Sequence, residues 1–258
     1  MSIKRIFWNL IPAENKHIFS LCKHYTNQYN SENNGNIQTN GELQLIRNVL
    51  PQCKVVFDVG ANIGDWTALA LKINPSLNIH CFEPSTATFQ RLKACNFGEN
   101  VTLNNFGLSS AYENLPLHVY EDGSGLNSLY VRHGLEEGLG LASQSKVEFI
   151  RVQTLDGYCQ QANIPYIDFL KVDVEGHELE VFKGALSMLS QGKIKRIQFE
   201  YGGCNIDAGV LLKDLFEFFE PYHYAFYKIY PNNIRHIPRY DQRNENYQYQ
   251  NWLIIHNE

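Results

Sequence analysis

The sequence predicts an α/β protein with a largely parallel sheet covered by helices on both faces. Two observations carry that expectation. From residue 41 onward, short apolar runs alternate with segments of about ten residues whose apolar positions recur at helical spacing. A crossover helix is the short way to join parallel neighbours. The alternation then stops: residues 222–229 and 251–256 both read as strands with no convincing helix between them, which predicts antiparallel pairing at one end of the sheet.

The elements follow in order. Residues 1–30 mix aromatic and polar side chains, with a short helix over 16–25, and the Asn-rich stretch 26–41 reads as a loop or lid. Leu43, Ile46 and Leu50 define a helical face that Pro51 ends, and a buried strand follows over 54–59. Helices are expected over 66–73, 86–95, 155–161, 179–189 and 209–219, and strands over 78–83, 101–106, 147–152, 167–172 and 194–201. Thr154 or Asp156 suits the cap of the helix at 155. An irregular stretch, 115–141, reads as an edge hairpin or lid. One domain over 41–258 with an N-terminal appendage over 1–40 accommodates this pattern in a chain of 258 residues.

Composition narrows the class. The chain is 44% hydrophobic and 19% charged, values of an ordinary globular protein. Its 22 Lys and Arg against 27 Asp and Glu give a net charge of −5, so no global positive field draws it to nucleic acid. The six cysteines form no CxxC pair, which points away from a zinc site or disulfide framework and toward a reducing, cytoplasmic setting. No apolar run reaches the roughly 18 residues of a membrane span, and no cleavage pattern follows the brief apolar stretch Ile6-Phe7-Trp8. A homodimer is compatible with the chain.

The stretch VVFDVGANIGDW, residues 55–66, sets two glycines after a strand that contains one acid. Gly60 suits a positive φ or a close backbone approach, and Gly64 suits a helix that starts near the turn. Free amides at that helix start favour a negative or polar ligand group. The next strand ends in Glu83, where a carboxylate can accept both hydroxyls of a ribose. The competing reading is structural: turn glycines and a helix-capping acid. A nicotinamide site is disfavoured because Asp58 stands where the first glycine of G-x-G-x-x-G belongs.

The stretch VFDVGANIGDWT resembles the cofactor loop of class I S-adenosylmethionine-dependent methyltransferases, and more narrowly the FkbM-type family. IDFLKVDVEGHELE, residues 167–180, is similar to that family's second signature, Thr154-Leu155-Asp156 to its TLD element, and Asn104 to Ser109 to its third-strand ending. The resemblance covers about residues 41–201 and implies a Rossmann-like, seven-stranded sheet in the order 3-2-1-4-5-7-6 with the last strand antiparallel. It implies that Asp58, Gly60, Ala61, Asn62 and Gly64 surround the methionine part of S-adenosylmethionine and that Glu83 holds the ribose. Asn105, Gly107 and Leu108 would lie near the adenine, with Ser85 or Thr86 on that side.

Lys171, Asp173, Glu175, His177 and Glu178 form the densest cluster of ionisable groups after a predicted central strand. A well-capped helix start explains part of it. Methyl transfer to a hydroxyl needs alignment and removal of a proton, so a carboxylate or imidazole at the cleft edge is the chemistry to seek. Asp173 is the first choice for base, with His177 and Glu200 as further catalytic candidates. Asp173, Glu175 and Glu200 also supply hard oxygen ligands suited to Mg²⁺ or Mn²⁺. The aromatics of 222–249, with His236, Arg239 and Tyr240, offer stacking faces to a carbohydrate, although aromatic strand propensity explains the same pattern. The expectation is O-methylation of a sugar, glycan or polyhydroxylated metabolite. N-methylation of an amine or amide and a non-catalytic cofactor-binding protein are the alternatives.

Overall fold

The computed structural model describes residues 14–132 and 146–257. The first and last parts of the expected appendage and lid, residues 1–13 and 133–141, lie outside the described residues.

Eleven strands and nine α-helices are described, together with short 3-10 turns. The strands are β1 (Val55–Val59), β2 (Asn78–Phe82), β3 (Val101–Asn104), β4 (Gly107–Leu108), β5 (Glu113–Val119), β6 (Lys146–Gln153), β7 (Phe169–Val172), β8 (Arg196–Tyr201), β9 (Tyr224–Tyr230), β10 (Asn233–Ile237) and β11 (Gln250–His256). The helices are α1 (Lys16–Asn30), α2 (Glu42–Val49), α3 (Asp65–Ile73), α4 (Thr86–Ala94), α5 (Leu155–Gln161), α6 (Glu178–Lys183), α7 (Leu186–Ser190), α8 (Cys204–Ala208) and α9 (Leu212–Phe219).

The main sheet has eight strands in the order β3-β2-β1-β7-β8-β11-β9-β10. β3, β2, β1, β7 and β8 run parallel to one another, while β11 runs antiparallel to both β8 and β9. The pairing of β9 with β11 is the antiparallel end that the missing helix predicts. The seven-strand expectation is corrected: β10 folds back on β9 and adds an eighth, edge strand. Its residues are mostly exposed and give no alternating apolar signal.

The expected strand at 147–152 also leaves the series. It forms β6 of a separate three-stranded sheet, β4-β6-β5. In β6 only Ile150 and Val152 are buried, the pattern of a one-faced strand rather than one covered on both sides. The helix expected over 179–189 is broken at Gly184, where a Cβ would come within 2.0 Å of the Ser109 carbonyl oxygen. The helix expected over 209–219 starts later, at Leu212, after the separate turn of helix α8.

Strand alternation divides the core. Phe57 and Val59 of β1 and Leu170 and Val172 of β7 pack on the face that holds Leu155, Val181, Phe182 and Phe219. Val56 and Phe169 pack on the opposite face with Leu43, Ile46, Trp66 and Leu92. Asp58 and Lys171 share the parity of Val56 and Phe169, so both turn toward α2 and α3. The register sets Asp58 beside Lys171 and Lys171 beside Gln198, a buried polar row across three adjacent strands.

α1 begins at Asn15, whose side chain accepts from the amides of His17 and Ile18, and the helix has no buried residue. The loop after it does touch the body: Asn33 N–H donates to the Tyr249 carbonyl, and Lys228 pairs with Glu32 at 3.2 Å.

Candidate active site

The loop after β1 turns through Gly60 at φ +81°, and the amides of Gly60 and Ala61 both donate to the Phe82 carbonyl at 3.0 Å. Asn62, at φ 47°, donates its backbone N–H to Glu83 Oε2 at 3.0 Å, while the Ser85 amide donates to Glu83 Oε1 at 2.9 Å. The loop after β1 is thus tied to the end of β2, and the Glu83 carboxyl is oriented by two main-chain donors. Burial nevertheless pushes its pKa up to about 7, against those two bonds.

A cavity of about 360 Å³ lies over this junction, within the range of small-molecule sites. Gly60, Asn62 and Glu83 supply its polar wall, and Phe82, Pro84, Leu108 and Leu117 with Ile150 and Val152 supply an apolar one. Glycine at 107 leaves room there, since a Cβ would approach Val152 at 3.2 Å. Ser124 to Leu129, the segment expected as a lid, line the same cavity except for Leu126. Ser128 Oγ donates to the Glu175 carbonyl at 2.8 Å and fixes that segment to the loop after β7.

A second cavity of about 340 Å³ shares Gly60, Asn62, Asp173, Glu200 and Tyr249 with the first and continues to Glu42, Asp65, Trp66 and Lys171. Lys171 Nζ stands 3.0 Å from Asp173 Oδ2 and 3.6 Å from Asp58 Oδ1. Burial opposes its charge, but Asp173, Asp58, Glu200 and Glu42 together hold its pKa above the ordinary lysine value. Glu200 accepts from the Tyr249 hydroxyl at 2.6 Å, and burial followed by the nearby Asp173 raises its pKa well above the carboxylate range. Glu42 accepts from Asn40 at 2.9 Å and from Gln198, and burial raises its pKa as well.

Several expected site residues are brought to the cavities and others are not. Gly60, Asn62, Glu83, Gly107, Leu108, Asp173, His177 and Glu200 line the first, and Ala61 lines the second. Asp58 does not: it is fully buried beneath the loop, where it accepts from Thr67 Oγ1 at 2.7 Å and faces Lys171. Sheet parity is the reason. Gly64 lines neither cavity and caps α3, where a Cβ would meet Leu92 and Phe97 within 3.0 Å. Asn105 is spent on the Glu83 and Pro84 carbonyls, and Ser85 is buried behind the end of β2.

His177 shares hydrogen bonds with Ser109 Oγ through Nε2 and with the Tyr130 hydroxyl through Nδ1, both at 3.0 Å. With both nitrogens engaged by hydroxyls and burial pulling its pKa down to about 4, it stands as a neutral imidazole that fixes the cavity floor. Nothing among the described residues supports the metal expectation. Among the described residues no group of three or more His, Cys, Asp or Glu is arranged to hold a metal ion. Asp173 is paired to Lys171, Glu175 to Arg132 at 2.6 Å, and Glu200 to Tyr249, so the three carboxylates are turned to different partners.

Glu42, Tyr249 and Arg132 were not singled out by the sequence. Glu42 opens a helix after Asn40-Gly41 and looks like an ordinary helix-start acid, and Tyr249 is one of many tail aromatics. Of the tail residues proposed for stacking, His236, Arg239 and Tyr240 border a separate cavity with Phe216 and Tyr224. No helix among the described residues is long and apolar enough to cross a membrane.

A mixed sheet, a glycine turn after β1 and an acid at the end of β2 define the Rossmann-like methyltransferase class. The family profile described as Methyltransferase FkbM domain matches residues 58–230. The chain belongs to that family and is an S-adenosylmethionine-dependent methyltransferase. It is 29% identical over 180 residues to the hexuronic acid methyltransferase AglP of Haloferax volcanii, covering 67% of this chain and 69% of that one. It is 26% identical over 165 residues to the 2-O-methyltransferase NoeI of Sinorhizobium fredii, covering 61% and 67%. Among solved structures, the methyltransferase FkbM of Methylobacillus flagellatus superposes with a TM-score of 0.50 at 19% identity, over 79% of this chain and 43% of that chain.

Proposed function

We propose that the protein transfers a methyl group from S-adenosylmethionine to a hydroxyl of a sugar, glycan or polyhydroxylated metabolite. The observation that carries this reading is that Asp173 and Glu200 line both cavities, so two carboxyl groups stand at the boundary between a cofactor-sized space and a second, polar one. The relatives support the acceptor class, since one is named for hexuronic acid methylation and another for 2-O-methylation.

The residues of the first cavity fit the cofactor. The apolar wall of Phe82, Leu108 and Val152 suits a purine, the oriented Glu83 suits ribose hydroxyls, and Asn62 Oδ1 has no partner among the described residues. When bound, S-adenosylmethionine supplies an activated methyl on a sulfonium centre. The chain then has to hold the acceptor hydroxyl in line and take its proton. Asp173, steadied by Lys171, is the base we assign, and Glu200 orients the hydroxyl with Tyr249 behind it. Asp58 and Gly64 support the cofactor loop from beneath. Residues 41–258 form the methyltransferase domain in this reading, and 1–40 are appended to it.

The test is methyl transfer from labelled S-adenosylmethionine to a panel of sugars and amines, with product linkage read by NMR. Oxygen-linked methyl groups, with kcat lowered at least about a hundredfold in Asp173→Asn, are expected. Exclusively nitrogen-linked products, or an unaffected Asp173→Asn, would reject the assignment.

A further inference from the structure

We propose that the second cavity is the acceptor subsite and that Glu42 and Glu200, as hydrogen-bonding groups in a cavity whose lining cation is already paired, select an acceptor ring bearing hydroxyls but no carboxylate. This rests on the methyltransferase reading above and adds the charge class of the substrate. It also separates this chain from the relative named for hexuronic acid.

The cavity has carboxyl groups on several sides. Glu42 arrives from the start of α2, Asp65 from the start of α3, Asp173 from the end of β7 and Glu200 from β8. Among the described residues that line it, Lys171 is the one cationic side chain. That ammonium is already committed to Asp173 and Asp58. No lining cation is left to receive an incoming carboxylate, which would lose its water without gaining an opposite charge. Hydroxyl groups meet the opposite situation, because carboxyl oxygens accept from them well.

A second feature points to a ligand. Trp66 lines the cavity and is only 7% exposed, yet its indole Nε1 has no hydrogen-bond partner among the described residues. A buried indole N–H ordinarily finds an acceptor, and a ring hydroxyl entering here supplies one. The Tyr249 ring, on the wall shared with the first cavity, adds an aromatic surface. Glu42 is held by Asn40 and Gln198 and so presents a fixed carboxyl group rather than a mobile one.

The experiment uses the full chain saturated with S-adenosylhomocysteine, whose binding is first measured by calorimetry. Methyl β-D-glucopyranoside and methyl β-D-glucopyranosiduronate are then titrated as neutral and anionic probes, with tryptophan fluorescence as the readout. The chain has three tryptophans, so Trp66→Phe identifies the signal that belongs to the cavity. The neutral probe is expected to bind on the order of tenfold or more tightly than the anionic one. Glu42→Leu, which removes the hydrogen-bonding carboxyl group while filling its space, is expected to weaken the neutral probe and narrow that ratio, and Glu200→Leu to narrow it independently. Equal or tighter binding of the uronate overturns the proposal, as does a fluorescence response that survives in Trp66→Phe or is missing for both probes. Failure to bind S-adenosylhomocysteine would instead reject the methyltransferase reading beneath it.

Discussion

A Cβ on Gly60 would stand 1.8 Å from the carbonyl oxygen of Asp173, so the loop after β1 and the loop after β7 meet in a contact that only glycine permits. The two sequence signatures are therefore halves of one structure. Gly60→Ala adds a clash with main chain to a φ of +81°, and neither can be relieved by turning a side chain. The expected result is a loss of about 1–3 kcal/mol of stability. S-adenosylhomocysteine affinity should fall on the order of tenfold or more, since a misplaced loop also moves Asn62. Calorimetry and thermal unfolding of the variant measure both.

Glu83 gives a pH dependence of binding. Its carboxyl titrates at about 7 in the folded protein because it is buried, and in the proposed ribose-binding role it accepts hydroxyls best when ionised. Cofactor affinity should then rise about tenfold between pH 6 and pH 8, the factor set by deprotonating a group of that pKa. Glu83→Gln should bind more weakly at pH 8 and with a flatter profile. Calorimetry across that range checks it. An unchanged slope in the variant would assign the titration to another group.

The sheet and the edge that lines the first cavity were legible because they depend on short-range pattern. β1, β2 and β7 are apolar runs, and Gly60, Asn62, Glu83 and Asp173 each follow a strand within a few residues. What was not legible depends on parity and long-range pairing. Asp58 sits in the motif, but alternation from Val56 turns it under the loop against Thr67. Glu42 meets Gln198 across 156 residues of sequence, and Tyr249 reaches Glu200 from the last strand's approach, neither of which has a local signal. β10 was missed for a related reason: an edge strand with exposed residues carries no apolar period. Residue type alone also does not reveal that Glu175 pairs with Arg132 and that Glu200 accepts from Tyr249, contacts that a metal at these carboxylates would have to share.

His177 ties stability to acid. Its folded pKa is lowered to about 4 by burial, whereas in the unfolded chain it is the ordinary 6.5. A base with a lowered folded pKa contributes stability that is present above 6.5 and is lost as pH falls through about 4. The size is on the order of 2–4 kcal/mol. Glu83, Glu175 and Glu178, each raised to about 7 mainly by burial, act in the opposite direction: their contribution is present below 4.5 and lost as pH rises through about 7. Urea unfolding at pH 7.5 and pH 4.5 separates them. His177→Gln should retain more of its own pH 7.5 stability at pH 4.5 than the wild type does.

Tyr249→Phe isolates the hydroxyl behind Glu200. The phenol donates to Glu200 Oε1 at 2.6 Å, a hydrogen bond that lowers the carboxyl pKa against the stronger effects of burial and Asp173. Removing it leaves the ring and the cavity wall in position but raises the Glu200 pKa further. If Glu200 orients the acceptor hydroxyl, kcat should fall on the order of tenfold with little change in S-adenosylhomocysteine affinity. The basic shift of the pH–rate profile is the decisive readout, because a residue that only packed the wall would weaken binding without moving an ionisation. Steady-state kinetics from pH 6 to 9, compared with Glu200→Gln, make the distinction: the glutamine variant lacks that ionisation, and adding Tyr249→Phe to it should produce no further shift.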